Sequence, residues 1–204
     1  FQLEGRNADQ FRQILADNPD VCIPRVYWKY STRRVLTLER VHGYKINDIE
    51  GMRAAGFRLS TVAEAYALAV LEQILIHGYF HADPHPGNVL VSPNRQIVFL
   101  DFGMVGYLDT ELKQQLVDLV TAVVRQDVDR AARALLDIAV TRQAIDVKAL
   151  RRDISRMIRR YYNVPIRQIP VHEAIQEALY LAFKYRMVMP SNLTLLSRAM
   201  STMN

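Results

Sequence analysis

One stretch of the chain decides its fold: HADPHPGN at residues 81–88, followed thirteen residues after Asn88 by Asp101-Phe102-Gly103. Two short apolar runs lie between them, at residues 89–91 and 97–100, and a Ser-Pro-Asn turn separates the runs. Short apolar runs around such a turn are typical of a β-hairpin. A hairpin would place Asn88, just before its first strand, beside Asp101, just after its second.

The residue types at these positions fit phosphate chemistry that depends on magnesium. Asp101 and Asn88 supply the oxygen ligands that Mg²⁺ prefers when it is held against nucleotide phosphates. Asp83 lies on the same loop, where it would orient an attacking hydroxyl or water. The order H-x-D-x-x-x-x-N followed by D-F-G is the pattern of protein kinases. The sequence therefore predicts ATP and Mg²⁺ as cofactors, with Asn88 and Asp101 as metal ligands and Asp83 as the catalytic residue.

These motifs also resemble the catalytic core of the UbiB, or aarF-domain, family of atypical kinases. The similarity extends from Ile23-Pro24-Arg25-Val26 near the start of the chain to residues 189–199 near its end. The resemblance implies a kinase-like fold and a role in ubiquinone, other prenyl-quinone or lipid metabolism. It implies as partners a nucleotide and a lipid or prenyl-quinone intermediate or quinone-biosynthesis proteins. It also implies a membrane-associated location, at a bacterial cytoplasmic face or in a mitochondrion or plastid.

By the same resemblance, Leu38, Glu39 and Val41 are similar to the hinge that meets the adenine of ATP. Leu38 would guard the back of the pocket, and backbone groups of Glu39 and Val41 would face the base. Without the motif downstream, a buried strand would be the simpler interpretation of residues 35–41. Glu4 resembles a helix glutamate that meets a phosphate-binding lysine, and a solvated glutamate at a helix start explains it equally well.

Two features depart from ordinary protein kinases. His85 stands where those enzymes carry a lysine, and no Ala-Pro-Glu segment follows Gly103. Histidine is mostly neutral near pH 7, so a fixed positive charge on the transferring phosphate is missing. Both departures argue against protein substrates.

A glycine- or alanine-rich phosphate loop and its strand lysine are absent from the 204 residues. The chain begins at Phe1 in the middle of the pattern, so we expect it to be a fragment that is inactive alone. Two alternatives to a UbiB-type kinase or ATPase stay open. One is a small-molecule phosphotransferase of the aminoglycoside-kinase kind, and the other is a non-enzymatic scaffold that ATP binding switches.

The rest of the chain predicts an α+β, mainly helical architecture: a protein-kinase-like fold with a large C-terminal lobe and a remnant of the small lobe. We place the end of the small lobe and the hinge in residues 1–45, and the large helical lobe in residues 46–204. The expected elements before the motif are a helix at 6–17, a β-rich hairpin from 21–30 and 34–39, and helices at 47–55 and 61–77. Beyond the motif, apolar spacing of three and four predicts helices near 109–125, 127–140, 146–161, 170–186 and 191–203.

Local signals refine these predictions. Thr61 and Glu64 have the spacing of a capping box that opens the helix at 61, and Gly78 would close it. Residues 79–88 are rich in Pro, His and Gly, which favours an irregular stretch.

Composition limits the class of protein. Half of the residues are hydrophobic, which is typical of a globular protein. The single cysteine, Cys22, excludes an internal disulfide, fits a reducing compartment and suits a small core position on a strand. We find no apolar run near the ~20 residues that span a bilayer, and we expect no nucleic-acid partner.

The positive charge is concentrated in residues 142–167, which hold eight basic and two acidic residues, a local charge of +6 in a chain of +5. Within the helix predicted there, the cluster consists of Arg152, Arg156, Arg159 and Arg160. A solvated helix face is the commoner explanation of such a cluster. The alternative is contact with an anionic membrane surface.

Overall fold

The computed structural model describes residues 1–139, 145–160 and 171–201. They form two compact units, one of Phe1–Tyr107 and one within Leu108–Ser201. The described residues are mainly helical with small sheets, as predicted. Along the chain, these units meet between Tyr107 and Leu108, whereas the predicted lobe boundary lies near residue 45. The lobe boundary stays a prediction.

The first unit contains all of the strands among the described residues. Its helices are α1 (Gln2–Ile14), α2 (Ile49–Ala54) and α3 (Leu59–Leu71). Its strands are β1 (Val21–Cys22), β2 (Tyr44–Lys45), β3 (Tyr79–His81), β4 (Val89–Val91), β5 (Ile97–Phe99) and β6 (Val105–Tyr107). Helix α1 begins and ends earlier than the predicted range of 6–17.

The predicted hairpin is confirmed as β4 and β5. The two strands pair antiparallel, with Val89 opposite Phe99 and Val91 opposite Ile97. They form the centre of a four-stranded sheet of order β1-β5-β4-β2, in which β1 runs parallel to β5. All four of these residues are fully buried, because the sheet lies in the core of the unit. The residues at the two ends of the hairpin are therefore held in a fixed register.

The β-rich hairpin predicted from residues 21–30 and 34–39 has shorter strands than expected. Within residues 21–39, the only regular strand is β1, and Trp28–Tyr30 forms a 3₁₀ turn. The two runs do pair antiparallel, through a bridge between Val26 and Leu38. Hydrogen bonds from Tyr27 N to Thr37 O (2.9 Å) and Glu39 N to Arg25 O (2.8 Å) flank that bridge. Cys22 lies on β1 as predicted and is half-buried.

Residues 79–88 are more regular than predicted. β3 pairs antiparallel with β6, so that Tyr79 lies opposite Tyr107 and His81 opposite Val105. A Cβ atom at Gly106 would overlap the buried ring of Phe80, so this pairing requires glycine there. The partner strand lies more than twenty residues downstream, beyond any local pattern that would reveal the pairing.

Helix α3, which precedes the motif, starts at a different residue from the predicted one. It begins at Leu59, which places Thr61 inside the first turn, and no side chain caps the backbone at Arg58. The predicted capping box is therefore wrong. The helix continues from α3 as a wider π-helical segment, Glu72–His77, and ends at Gly78, whose φ of 65° confirms the predicted closing residue.

The combined helix Leu59–His77 is long and apolar enough to cross a membrane by length and composition, with 19 residues and a mean hydropathy of 1.5. This corrects the expectation that no apolar run approaches that length. Core helices of soluble proteins pass the same test, so the finding is weak evidence of a span. Tyr66 and Gln73 of this helix form hydrogen bonds to Pro84 and His81 in the same unit.

The described part of the second unit is helical. The predicted helices are confirmed as α4 (Thr110–Val124), α5 (Val128–Ile138), α6 (Val147–Arg159), α7 (Val171–Lys184) and α8 (Ser191–Ser201). The side chains of Asp109, Asp127 and Asp146 cap α4, α5 and α6 by accepting from backbone N–H groups at 2.8–3.0 Å. The apolar stripe of α6 is buried through Leu150, Ile154, Met157 and Ile158. Residues 140–144, 161–170 and 202–204, with the basic Arg142 and Arg167, lie outside the described residues.

Candidate active site

The hairpin places two of the predicted site residues at its open end. Leu100 N donates to Asn88 O at 2.8 Å, which extends the β4–β5 ladder by one residue beyond Val89 and Phe99. Asn88 therefore lies opposite Leu100, and Asp101 is the next residue along the chain. The register agrees with the adjacency that the spacing predicts.

Asp101 has a backbone conformation that turns the chain sharply after β5. Its φ is 55°, in the left-handed region, which aspartate tolerates better than most residues. Its Oδ1 accepts from Gly103 N at 3.1 Å, and the residue is exposed. A carboxylate that is exposed at a tight turn is available to a cation.

Phe102 anchors the turn. It is 1 % exposed and packs against the ring of Phe11 on α1, with ring centroids 5.1 Å apart. Its carbonyl accepts from Asn7 Nδ2 at 2.8 Å, and Asn7 Oδ1 accepts from Tyr79 OH at 3.0 Å. Asn7 is a buried polar residue, and both sides of its amide are used. Sequence reasoning missed its role, since a single Asn in an amphipathic helix carries no spacing signal.

His81 holds the loop together as a neutral side chain. Its Nε2 lies 2.8 Å from Leu100 O and must donate, while its Nδ1 accepts from Asp83 N at 3.1 Å. Burial lowers the pKa of His81, although the hydrogen bond to Leu100 and the charges of Asp101 and Asp83 oppose that shift. These bonds give His81 a structural role in the loop.

Asp83 is half-buried, one residue after Ala82, which is fully buried. Its backbone carbonyl accepts from Asn88 Nδ2 at 3.3 Å, and Tyr66 OH donates to Pro84 O at 2.9 Å. The amide of Asn88 thus uses its nitrogen within the loop, and its oxygen is the atom that suits a cation. Asp83 and Asn88 belong to one hydrogen-bonded loop.

Gln73 supports the loop from the π-helical segment. Its Oε1 accepts from the backbone N–H of His81 at 3.0 Å. His81 is the last residue of β3, so a helix side chain bonds to the end of this strand. The side chain is 1 % exposed, and its Nε2 has no hydrogen-bond partner within the described part of the chain. π-Helical segments are frequent at functional sites, where they redirect a side chain. No sequence pattern indicated this residue.

Glu4 lies near the turn at Asp101. Burial raises the pKa of the Glu4 carboxyl, and the negative charge of Asp101 raises it further. The two carboxylates are therefore close enough to repel each other. Glu4 is half-buried, and its place beside the nucleotide stays a prediction.

His85 lies at the exposed tip of the loop. Its Nδ1 accepts from Gly87 N at 2.9 Å, and that contact orders the 3₁₀ turn before β4. An Nδ1 that accepts is not protonated, so the bond is made by the neutral ring. The residue thus lacks the fixed charge of the lysine that it replaces.

Two of the predicted hinge residues, Leu38 and Glu39, lie in the pairing with residues 25–26. Leu38 is half-buried and bridges to Val26, and Val41 is half-buried. Glu39 Oε2 accepts from Arg25 N at 3.1 Å. Their assignment to the adenine stays a prediction.

The donor set fits Mg²⁺ better than a transition metal. Among the described residues, no group of three or more His, Cys, Asp or Glu could hold a metal ion. Magnesium is usually bound by one or two protein oxygens together with nucleotide phosphates and water. Asp101 and Asn88 would supply that number of groups, and nucleotide phosphates and water would complete the shell.

Two family models and several curated proteins match the chain. The family model of the ABC1 atypical kinase-like domain matches residues 1–135, and that of the UbiB helical domain matches residues 154–204. The chain is 36% identical over 201 residues to the chloroplastic Activity of bc1 complex kinase 7 of Arabidopsis thaliana, covering 98% of the chain and 29% of that protein. It is 33% identical over 201 residues to protein sll1770 of Synechocystis, covering 98% of the chain and 34% of that protein. The chain thus spans about a third of the length of these curated relatives.

One solved structure supports the fold. The chain is similar to Rv3197 of Mycobacterium tuberculosis, solved in complex with erythromycin, with a TM-score of 0.65 and 19% identity. The similarity covers 99% of this chain and 53% of that one. The predicted kinase-like fold is confirmed.

Proposed function

Because the chain belongs to the family of ABC1 atypical kinase-like domains, we propose that it carries the metal-binding part of an ATP-dependent phosphotransferase or ATPase. The observation that carries this proposal is the register of β4 and β5, which sets Asn88 opposite Leu100 and next to Asp101. Two oxygen donors at one end of a buried hairpin form a rigid cation site.

In the proposed reaction, Asp101 and Asn88 hold Mg²⁺, and Asp83 orients the attacking hydroxyl or water. When held there, Mg²⁺ would supply positive charge against the nucleotide phosphates. Asp83 lies on the loop that Tyr66, Gln73 and His81 fix by hydrogen bonds, so its position is set before a substrate arrives. Leu38, Glu39 and Val41 are proposed to meet the adenine, on the strength of the family resemblance.

The proposal extends to the biological setting. The substrate would be a lipid or prenyl-quinone intermediate, and the protein would work at a membrane in a reducing compartment. Support comes from the UbiB resemblance and from chloroplastic relatives named for the activity of the bc1 complex. His85, in place of a lysine, fits a non-protein acceptor.

The test is nucleotide binding by the complete protein, measured by titration calorimetry with and without Mg²⁺. Asp101→Asn should abolish the Mg²⁺-dependent part of the ATP affinity while the thermal midpoint is retained. Asp17→Asn, an exposed residue of the same unit, is the matched control and should bind as the parent does. An Asp101→Asn protein that is folded and binds Mg-ATP normally would refute the assignment. Binding without turnover would favour the ATP-switched scaffold.

A further inference from the structure

A short segment of the first unit exposes aromatic and cationic side chains together. We define the aromatic–cationic hairpin as residues 27–34, YWKYSTRR. Its aromatic residues Tyr27, Trp28 and Tyr30 are 41, 42 and 63 % exposed. Lys29, Arg33 and Arg34 are exposed as well. No Asp or Glu occurs between Asp20 and Glu39, so the local charge is uniformly positive.

The shape of this hairpin is fixed by hydrogen bonds. Thr32 N donates to Val35 O at 2.7 Å, and Thr37 Oγ1 donates to Tyr30 O at 2.8 Å. Trp28 Nε1 donates to Asp9 Oδ2 at 2.6 Å, and its ring lies against Gly5 of α1, where a Cβ would crowd it. The exposed side chains therefore project from a braced turn, and binding would cost little ordering of the backbone.

The cations of the hairpin have no acidic partners in the described structure. None of the ion pairs among the described residues includes Lys29, Arg33 or Arg34, and Lys29 lies 5.7 Å from the ring centroid of Tyr30. The arginine face of α6 differs. Arg156 pairs with Asp153 at 3.2 Å and Arg160 with Glu177 at 2.5 Å, so two of the four arginines in that predicted cluster have acidic partners, although Asp153 also pairs with Lys184 at 2.6 Å.

We propose that the aromatic–cationic hairpin docks on a membrane surface that contains anionic phospholipids. Tyr and Trp are favoured at the boundary between headgroups and acyl chains, and Lys and Arg bind anionic headgroups. The inference rests on the membrane association proposed above and gives it a location, while the ATP chemistry is independent of it. The arginine face of α6 then serves helix packing and solvation.

The experiment is flotation of the complete protein with phosphatidylcholine vesicles, with and without phosphatidylglycerol, at low salt. Combined Lys29→Gln, Arg33→Gln and Arg34→Gln should weaken binding to the anionic vesicles by at least about tenfold. Arg152→Gln, Arg156→Gln and Arg159→Gln on α6 remove the same charge and should change binding less than about twofold under this assignment. Tyr30→Ser tests the aromatic part without a change in charge and should also weaken binding.

Each outcome decides the assignment. Equal loss in both triple variants would overturn it, since binding would then depend on net charge alone. Absence of binding to anionic vesicles would overturn both the docking surface and the proposed membrane association, and would favour a polypeptide partner for the hairpin. Mg-ATP affinity of the hairpin variant, measured without vesicles, should match that of the parent. That measurement separates failure of the docking surface from failure of the ATP site.

Discussion

Hydrogen bonds from a few side chains fix the conformation of the loop from His81 to Asn88. His81 ties Leu100 to Asp83 with its two ring nitrogens, and Asn88 ties its amide to the backbone of Asp83. Asp83, the predicted catalytic residue, thus lies on a loop that the hydrogen bonds of His81 and Asn88 hold in place. In functional sites, the residue that acts in the reaction is commonly held in position by hydrogen bonds from other residues.

A single substitution of Asp83 tests its proposed catalytic role. Asp83→Asn in the complete protein should lower kcat by roughly 10²–10⁴-fold while ATP affinity changes little, because the carboxylate acts mainly in the transition state. Stopped-time assays of product formation and calorimetric titration give the two quantities. Turnover within a few-fold of the parent would make Asp83 a structural residue of the loop. Asp17→Asn, an exposed residue of the same unit that lies outside this loop, is the control for general disturbance.

At the scale of elements, the sequence predicts well where the signal is local. The hairpin β4–β5 follows from two apolar runs around a turn, and the helices of the second unit follow from apolar spacing. β3 was missed because its partner β6 is distant along the chain and its own composition suggests a loop. The capping box failed because Thr61 lies two residues inside the true start at Leu59. The π-helical segment has no sequence signature, so Gln73 could not be found in advance.

Gln73 provides a test of that segment. Gln73→Met should lower the free energy of unfolding by about 1–3 kcal/mol, because the buried His81 N–H loses its acceptor. Urea denaturation measures the change. Gln10→Met, on the exposed face of α1, makes the same substitution where no such bond is lost and should have little effect. Equal effects of the two variants would show that the bond to His81 contributes nothing.

At the scale of the whole molecule, the described chain contains the candidate metal-binding loop and a helical unit, and its sequence has no glycine- or alanine-rich phosphate loop. ATP phosphates that are held only by Mg²⁺, Asn88 and Asp101 would stay largely in water. Residues 1–204 also span about a third of the curated relatives they match.

We therefore expect residues 1–204 alone to hydrolyse no ATP. A coupled phosphate-release assay on this chain, with the complete protein as the positive control, checks the expectation. Asn88→Ala in the same chain separates its own activity from that of a contaminant. Hydrolysis that disappears with Asn88→Ala would show that these residues suffice for turnover.

The amide of Asn7 has a consequence for how the protein could respond to its nucleotide. It bonds to the Phe102 carbonyl on one side and to the Tyr79 hydroxyl on the other. A displacement of the Asp-Phe-Gly segment must therefore break one of these buried bonds or carry α1 with it. If nucleotide binding moves Phe102, this hydrogen bond couples the movement to α1, and such coupling is reciprocal. Whatever stabilises one arrangement of Phe102 also stabilises the matching arrangement of α1, so a partner that binds α1 would change the affinity for the metal nucleotide.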